Sequence, residues 1–204
     1  MKKVFLTLCM MMFAVSAFAA SPKKVVVVLA PGFEEIEASA PIDIMRRAGL
    51  EVTIAGLDDV NVKGANGITF VADKLLAGID IMTYDGIVLP GGLPGAENLA
   101  KSAMLNAMVK TATKERKIVA AICAAPALVL APLGILNGHH ATCYPGMEKN
   151  FPEKTVYEKA DVVTDRSIIT ASGPGTAMLF GLAIVERMVD KKTAAGLEEG
   201  LLVK

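Results

Sequence analysis

This chain of 204 residues has no excess of positive or negative charge, and it contains few histidines and cysteines. Its 21 lysines and arginines are balanced by 21 aspartates and glutamates, so no strongly basic surface is predicted to attract nucleic acid. Two histidines and three cysteines are present, and so few cysteines do not make a disulfide framework. The sequence also lacks a linker, a low-complexity tract and an internal repeat. A single α/β domain therefore accounts for its length.

One longer apolar run lies at the N-terminus, over residues 4–18. It follows the basic start Met1–Lys3 and is followed by small residues of the Ala-x-Ala type. This pattern predicts a secretory signal peptide over residues 1–19, cleaved after Ala19, with Ala20 as the second choice. The run is too short to span a bilayer comfortably. We therefore expect an exported protein, periplasmic or secreted, that has no membrane anchor after cleavage.

After this segment, short β-branched runs alternate with helical segments. Runs typical of parallel strands buried on both faces occupy residues 24–30, 51–55, 86–89 and 118–122. Shorter strands are predicted at residues 68–71, 141–144, 161–163 and 168–171. Helices are predicted over residues 34–48, 97–115, 176–189 and 194–202, with Pro41 expected to kink or split the first. The alternation predicts one layered α/β domain over residues 24–204 with a mostly parallel sheet. Ligands bind such folds beyond the carboxyl ends of the strands.

Cys123 directly follows the strand predicted at residues 118–122, and an Ala/Leu segment predicted to be helical to about Leu130 follows it. This strand-to-helix turn places the sulfur near the first free N–H groups of a helix, which predicts a lowered thiol pKa and a reactive thiolate. The nucleophile of α/β-hydrolases occupies a similar turn. The alternative is an ordinary core cysteine in a parallel strand, because free cysteine is among the most buried residue types.

Five short motifs stand in register from about residue 24 to the C-terminus. They are LAPGFEEIE at 29–37, MRRAG at 45–49, VLPGG at 88–92, AAICAAP at 120–126 and GPGT at 173–176. Together they resemble the ThiJ/PfpI superfamily and, within it, the Parkinsonism-associated protein deglycase (ThiJ) branch. The resemblance implies a flavodoxin-like three-layer sandwich with a mostly parallel central sheet, like that of class I glutamine amidotransferases. It also implies a homodimer.

The resemblance assigns roles to four positions of this chain. Cys123 matches the reactive cysteine, and Glu37 matches a glutamate whose carboxyl group hydrogen-bonds that sulfur. Gly92 and Ala124 match positions whose backbone N–H groups form an anion or oxyanion pocket. No cofactor and no metal are implied. From the residues alone, Glu37 is also explained as a solvated helix carboxylate, because two further glutamates share its turn.

Histidine is missing from the two places where related proteins carry it. Tyr144 occupies the position at which many members have a histidine before a proline, and Ala124 follows the cysteine where the protease-like branch has one. A Cys-His-Glu protease is therefore disfavoured. His140 lies four residues from Tyr144, roughly 13 Å along an extended strand, which is too far to take the Cys123 proton. His139 and His140 are therefore interpreted as part of a polar turn, because a metal site would need further ligands.

Cys143 adjoins Tyr144 and is the second cysteine outside the predicted signal peptide. In an oxidising compartment it is a candidate resolving thiol for an oxidised Cys123. Strand alternation argues against this role, because Cys143 points away from the pocket if Tyr144 faces it. A buried strand residue is the alternative.

The function that the resemblance implies is that of a cysteine-dependent glyoxalase or deglycase without a cofactor. Its substrates are expected to be small aldehydes, such as methylglyoxal and glyoxal, or glycated proteins. Cys123 is expected to form a hemithioacetal whose oxygen is held by Gly92 and Ala124, while Glu37 moves the proton; Tyr144 and Cys143 are candidate supporting residues. Two alternatives stay open: a redox-responsive chaperone or oxidative-stress sensor that uses Cys123 oxidation without turnover, and a catalytically idle dimeric scaffold.

Overall fold

A computed structural model describes residues 21–203 of the chain. The predicted signal peptide over residues 1–19 lies outside the described residues. Within them the strands are β1 Lys24–Leu29, β2 Glu51–Gly56, β3 Asn61–Lys63, β4 Thr69–Val71, β5 Lys74–Leu75, β6 Gly86–Leu89, β7 Ile118–Ile122, β8 His140–Ala141, β9 Val156–Tyr157, β10 Val162–Asp165 and β11 Ile168–Ala171. The helices are α1 Glu35–Arg47, α2 Gly95–Lys101, α3 Ala103–Lys114, α4 Ala177–Met188 and α5 Lys191–Gly200.

Seven of these strands form one central sheet in the order β10-β11-β7-β6-β1-β2-β5. All neighbours pair in parallel except β10 and β11, which are antiparallel. Strands β3 and β4 form a separate antiparallel hairpin, and β8 pairs with β9. The mostly parallel flavodoxin-like sheet expected from the sequence is therefore confirmed.

The core consists of two apolar layers, one on each face of the sheet. Successive side chains of a strand point to opposite faces, so Val25 and Val27 of β1 pack in the layer that holds α1 and α4. Val26 and Val28 belong to the other layer, which also holds the buried residues of α3. Parallel sheets need such cover on both faces, and this explains the continuous apolar runs of the sequence. Among residues 21–203 no helix is long and apolar enough to cross a membrane.

Pro41 does not split the first helix, which was one of the two effects predicted for it. Helix α1 runs without a break from Glu35 to Arg47, with Pro41 buried inside it. Proline removes one N–H from the helix, but here it packs against α4. An added Cβ at Gly181 of α4 would lie only 3.0 Å from the Pro41 Cα. This close packing between helices stabilises a residue that is unfavourable in an isolated helix.

Two other predicted elements are shorter than expected. The segment 97–115 divides into α2 and α3 at Ser102, whose Oγ accepts a hydrogen bond from the Leu105 N–H at 3.2 Å and so caps the second helix. The strand predicted at 141–144 ends at Ala141. Beyond it, the Tyr144 N–H donates to the Cys123 carbonyl at 2.8 Å. That hydrogen bond ties this segment to the end of β7.

Glu35 joins the start of α1 to the loop between β3 and β4. Its side chain is 4% exposed, and its carboxylate accepts hydrogen bonds from Asn66 N at 2.7 Å, Asn66 Nδ2 at 2.9 Å and Ile68 N at 3.3 Å. Burial acts to raise the pKa of Glu35, but the hydrogen bonds from Asn66 and Ile68 outweigh it and leave the pKa below its ordinary value.

Replacing Glu35 by glutamine should therefore lower the free energy of unfolding by about 2 kcal/mol at neutral pH, measured by urea denaturation. A glutamine amide turns an N–H group toward the Asn66 Nδ2 donor instead of an oxygen. Because the folded-state pKa of Glu35 is lowered, its stabilisation is present above the ordinary value of 4.5 and is lost as the pH falls through the folded-state pKa. The difference should therefore shrink in acid. Glu153→Gln, in an exposed loop, is the control; equal losses in both variants contradict the prediction.

Candidate active site

The backbone at Cys123 forms a sharp turn directly after β7. Its φ is +62°, an uncommon conformation for a residue with a side chain. The turn is held from both sides: the Cys123 N–H donates to the Ala171 carbonyl at 2.9 Å, and the Cys123 carbonyl accepts from the Tyr144 N–H. A strained residue at the carboxyl end of a parallel strand is a frequent feature of functional sites. The side chain is 7% exposed, so the sulfur is nearly but not fully enclosed.

Glu37 of α1 is the acid beside this sulfur. The residue is fully buried at 0% exposure, and its Oε2 accepts a hydrogen bond from the Gly91 N–H at 2.8 Å. Its Oε1 is buried and takes no hydrogen bond from any group in residues 21–203. The alternative of a solvated helix carboxylate is therefore wrong. One oxygen of this buried carboxyl group is therefore free to bind a proton.

Gly91 was not among the residues predicted for the site, although it belongs to the Pro-Gly-Gly motif. A Cβ at this position would lie 2.8 Å from the Cys123 Cβ and 2.8 Å from the Glu37 Oε2. Only glycine leaves room for the cysteine and the carboxyl group on either side of it.

The pKa values of the two acidic groups are coupled. Burial raises the pKa of Glu37 to about 7, although interaction with the Cys123 thiol and the Gly91 N–H act in the opposite direction. Burial and the nearby Glu37 charge raise the pKa of Cys123 to about 12, while hydrogen bonds from the Gly92 and Ala124 N–H groups lower it. Two acids in contact do not both ionise readily. Between these two pKa values the pair therefore holds one proton.

The lowered thiol pKa expected from the sequence is thus wrong. The segment predicted to be helical to about Leu130 forms a single π-helical turn, Pro126–Leu130, that begins with a proline. A short turn of this kind supplies little of the N-terminal helix charge on which the prediction depended. Burial and the neighbouring acid dominate instead. Between the two pKa values the thiol is therefore the protonated partner of the pair.

The Gly92 and Ala124 N–H groups both donate hydrogen bonds to the Cys123 sulfur. Gly92 has a φ of +83°, and an added Cβ would lie 2.4 Å from the Glu34 backbone nitrogen. The turn therefore requires glycine, and the tight packing fixes the direction of its N–H. Two such donors are what an oxyanion needs in acyl or carbonyl chemistry.

Tyr144 lies at the edge of the site. Its side chain is 49% exposed, and its ring lies against Gly173, where an added Cβ would be 3.5 Å from the Tyr144 Cδ2. Its backbone holds the Cys123 turn, as described above. Among the described residues, Glu37 is the ionisable side chain that perturbs the Cys123 pKa.

Cys143 is fully buried, and its Sγ donates a weak hydrogen bond to the Tyr144 carbonyl at 3.5 Å. Burial and the Glu148 charge raise its pKa to about 12. Cys143 and Cys123 are both free thiols. The resolving role stays a prediction.

The two histidines contact carboxylates away from Cys123. His139 Nδ1 lies 3.0 Å from Asp165 Oδ2, and His140 Nδ1 contacts Glu158. Within residues 21–203 no group of three or more His, Cys, Asp or Glu side chains is arranged to hold a metal ion.

Known proteins resemble this chain in sequence and in fold. Protein DJ-1 homolog B of Arabidopsis thaliana is 39% identical over 194 residues, which are 94% of this chain and 44% of that protein; the chain thus spans about half the length of this relative. The glutathione-independent glyoxalase DJR-1.2 of Caenorhabditis elegans is 36% identical over 171 residues, covering 83% of this chain and 90% of that one. The structure of oxidized Toxoplasma gondii DJ-1 superimposes with a TM-score of 0.85 at 41% identity, covering 88% of this chain and 98% of that chain.

A family-level match covers most of the domain. Residues 23–187 match the DJ-1/PfpI family. This confirms the resemblance that the five motifs indicated. The chain belongs to the DJ-1/PfpI family.

Proposed function

We propose that this protein is a glyoxalase that converts methylglyoxal and related small aldehydes to hydroxy acids, and that it acts on early glycation adducts of proteins by the same chemistry. The observation that carries the proposal is the buried pair of Cys123 and Glu37, which shares one proton beneath two backbone N–H donors. The C. elegans relative, described as a glutathione-independent glyoxalase, supports the same class of reaction. No cofactor or metal is needed for it.

The first step is addition of the thiol to the aldehyde carbon. Cys123 Sγ forms a bond to this carbon while its proton moves to the free Oε1 of Glu37. The aldehyde oxygen becomes an oxyanion, which the Gly92 and Ala124 N–H groups stabilise. Return of the proton from Glu37 gives a neutral hemithioacetal. Glu37 is again a carboxylate.

The second step moves a hydrogen between the two carbons of the former dicarbonyl. The Glu37 carboxylate removes the proton from the hemithioacetal carbon and returns it to the adjacent carbon through an enediol. The hydroxyl proton moves from the oxygen of the first carbon to that of the second, which gives a thioester of lactate. Water then cleaves the thioester, releases lactate and restores the thiol. One carbon is oxidised as its neighbour is reduced, so no external oxidant takes part. A carboxyl group with a pKa of about 7 suits both proton transfers.

The test is lactate formation from methylglyoxal by the purified chain without glutathione or added metal. We expect catalytic turnover and stoichiometric lactate. Consumption of aldehyde without lactate contradicts the proposal.

A redox-sensing role is the second candidate, because the same two N–H donors and a protonated Glu37 suit the oxygens of a cysteine sulfinate. Mass spectrometry of Cys123 after matched exposure to peroxide or aldehyde separates the two. Faster sulfinate formation without aldehyde turnover favours the sensor. Export and a homodimeric state also remain proposals, drawn from the N-terminal pattern and the family resemblance.

A further inference from the structure

A second cleft lies at the edge of the sheet opposite to Cys123. Strand β7 has Cys123 at its carboxyl end and Arg116 near its amino end, roughly 20 Å away. The cleft has a volume of about 500 Å³, and its lining includes Thr113, Arg116, His139, Arg166, Ser167 and Arg187. No carboxylate belongs to the lining. Small-molecule sites have volumes in this range.

Two of these arginines occupy backbone positions that ordinarily favour glycine. Arg116 has a φ of +55° and ends α3, where its N–H donates to the Thr113 carbonyl; glycine is the usual residue at such a helix end. Arg166 has a φ of +57° in the two-residue loop between β10 and β11, where glycine or asparagine is preferred. Long charged side chains at two strained positions around one cleft point to a ligand.

The charges of the cleft are only partly neutralised. Arg166 Nε lies 3.1 Å from Asp165 Oδ1 in an ion pair, and the other oxygen of Asp165 contacts His139. Arg187 Nε donates to the Arg166 carbonyl at 2.9 Å, which fixes its guanidinium. Within residues 21–203, neither Arg116 nor Arg187 has a carboxylate partner. Two positive charges therefore face the cleft uncompensated.

The surface beside the cleft does not remove this excess. It shares Arg116 and Arg187 and adds Lys23, Lys117, Asp85 and Glu115. These four additional residues carry balanced charges. The excess of two positive charges is therefore unchanged.

We propose that this cleft binds a small dianion of the phosphate monoester class, held by the guanidinium groups of Arg116 and Arg187 and by the Ser167 hydroxyl. Guanidinium groups bind phosphate through paired N–H donors. The site is separate from the proposed carbonyl chemistry, and its test does not depend on that activity.

The experiment is calorimetric titration of the purified chain with inorganic phosphate at constant ionic strength. We expect saturable binding that is weakened roughly tenfold or more by Arg116→Gly and by Arg187→Gln, since each removes a charged hydrogen-bond donor. Arg116→Gly also relieves the positive φ, so its unfolding temperature without phosphate should not fall. Loss of phosphate binding in this variant therefore cannot be attributed to misfolding. Lys101→Gln, at an exposed position elsewhere, should bind as the wild type does.

Two results overturn the proposal. One is the absence of saturable phosphate binding at constant ionic strength. The other is binding that is equally tight in Arg116→Gly, which would place the anion elsewhere, for example at the N–H groups beside Cys123. Protection of Cys123 from alkylation by phosphate distinguishes that case.

Discussion

Replacing Cys123 by alanine should lower the rate of lactate formation from methylglyoxal at least about 10³-fold, because the proposed covalent adduct forms on its sulfur. Alanine is accommodated at a φ of +62° as cysteine is, so the turn and its two backbone hydrogen bonds should persist. The measurement is steady-state lactate production, with the unfolding temperature as the check on folding.

Cys143→Ala is the matched control for loss of a buried thiol. This residue is also fully buried and free, but its sulfur contacts the Tyr144 carbonyl rather than Glu37. Its variant should keep wild-type turnover. If Cys123→Ala retains activity within about tenfold of the wild type, Cys123 is not the nucleophile.

Gly92→Ala should lower the free energy of unfolding by about 3–5 kcal/mol and abolish turnover. The added Cβ would lie 2.4 Å from the Glu34 nitrogen, 2.7 Å from the Gly32 oxygen and 2.7 Å from the Phe33 carbonyl carbon. All three are backbone atoms, which cannot move aside as a flexible side chain can. The loop must shift, and the Gly92 N–H then leaves the sulfur. Urea denaturation and lactate kinetics measure the two effects.

Gly49→Ala separates steric overlap from backbone strain. Gly49 has a φ of +81°, close to the +83° of Gly92, but an added Cβ at Gly49 meets nothing within 4 Å. Its alanine variant should therefore lose only about 1–2 kcal/mol and keep full activity. Equal losses of stability at the two positions contradict the packing described for Gly92.

The fold was predictable because its signals are local and repeated. The β-branched runs of β1, β6 and β7 require cover on both faces, and their alternation with helices leads to a parallel sheet. The errors at Pro41 and Ser102 arose where tertiary packing or a single cap overrides the pattern along the chain. Neither the close approach of α4 to Pro41 nor the Ser102 cap follows from hydrophobic periodicity.

The members of the site were predictable from the five motifs, but their electrostatics were not. The motifs predicted a site made of Cys123, Glu37, Gly92 and Ala124. The structure brings all four residues to one edge of the sheet. The direction of the thiol pKa depended on burial and on the distance to an acid 86 positions earlier in the chain. Gly91, which makes that approach possible, is recognisable only once its neighbours are known.

The central claim is that Cys123 reacts by giving its proton to Glu37. A suitable background is the Cys143→Ala chain without its predicted signal peptide, in which Cys123 is the one remaining cysteine. In this background, the Glu37→Gln variant can be compared with the parent protein that retains Glu37. The folded-state pKa of Glu37 is raised from 4.5 to about 7, so its ionisation reduces stability as the pH rises through that interval. The glutamine variant should therefore be no less stable than the parent above pH 7.

The decisive measurement is the pH dependence of Cys123 alkylation in these two proteins. With Glu37 present, the rate should rise with a midpoint near pH 7, where the carboxyl group becomes a base. With glutamine in its place, the midpoint should move above 9, the ordinary pKa of a thiol, because the buried thiol must then ionise without help. An unchanged midpoint, or one that falls on substitution, would show that Glu37 does not accept the thiol proton.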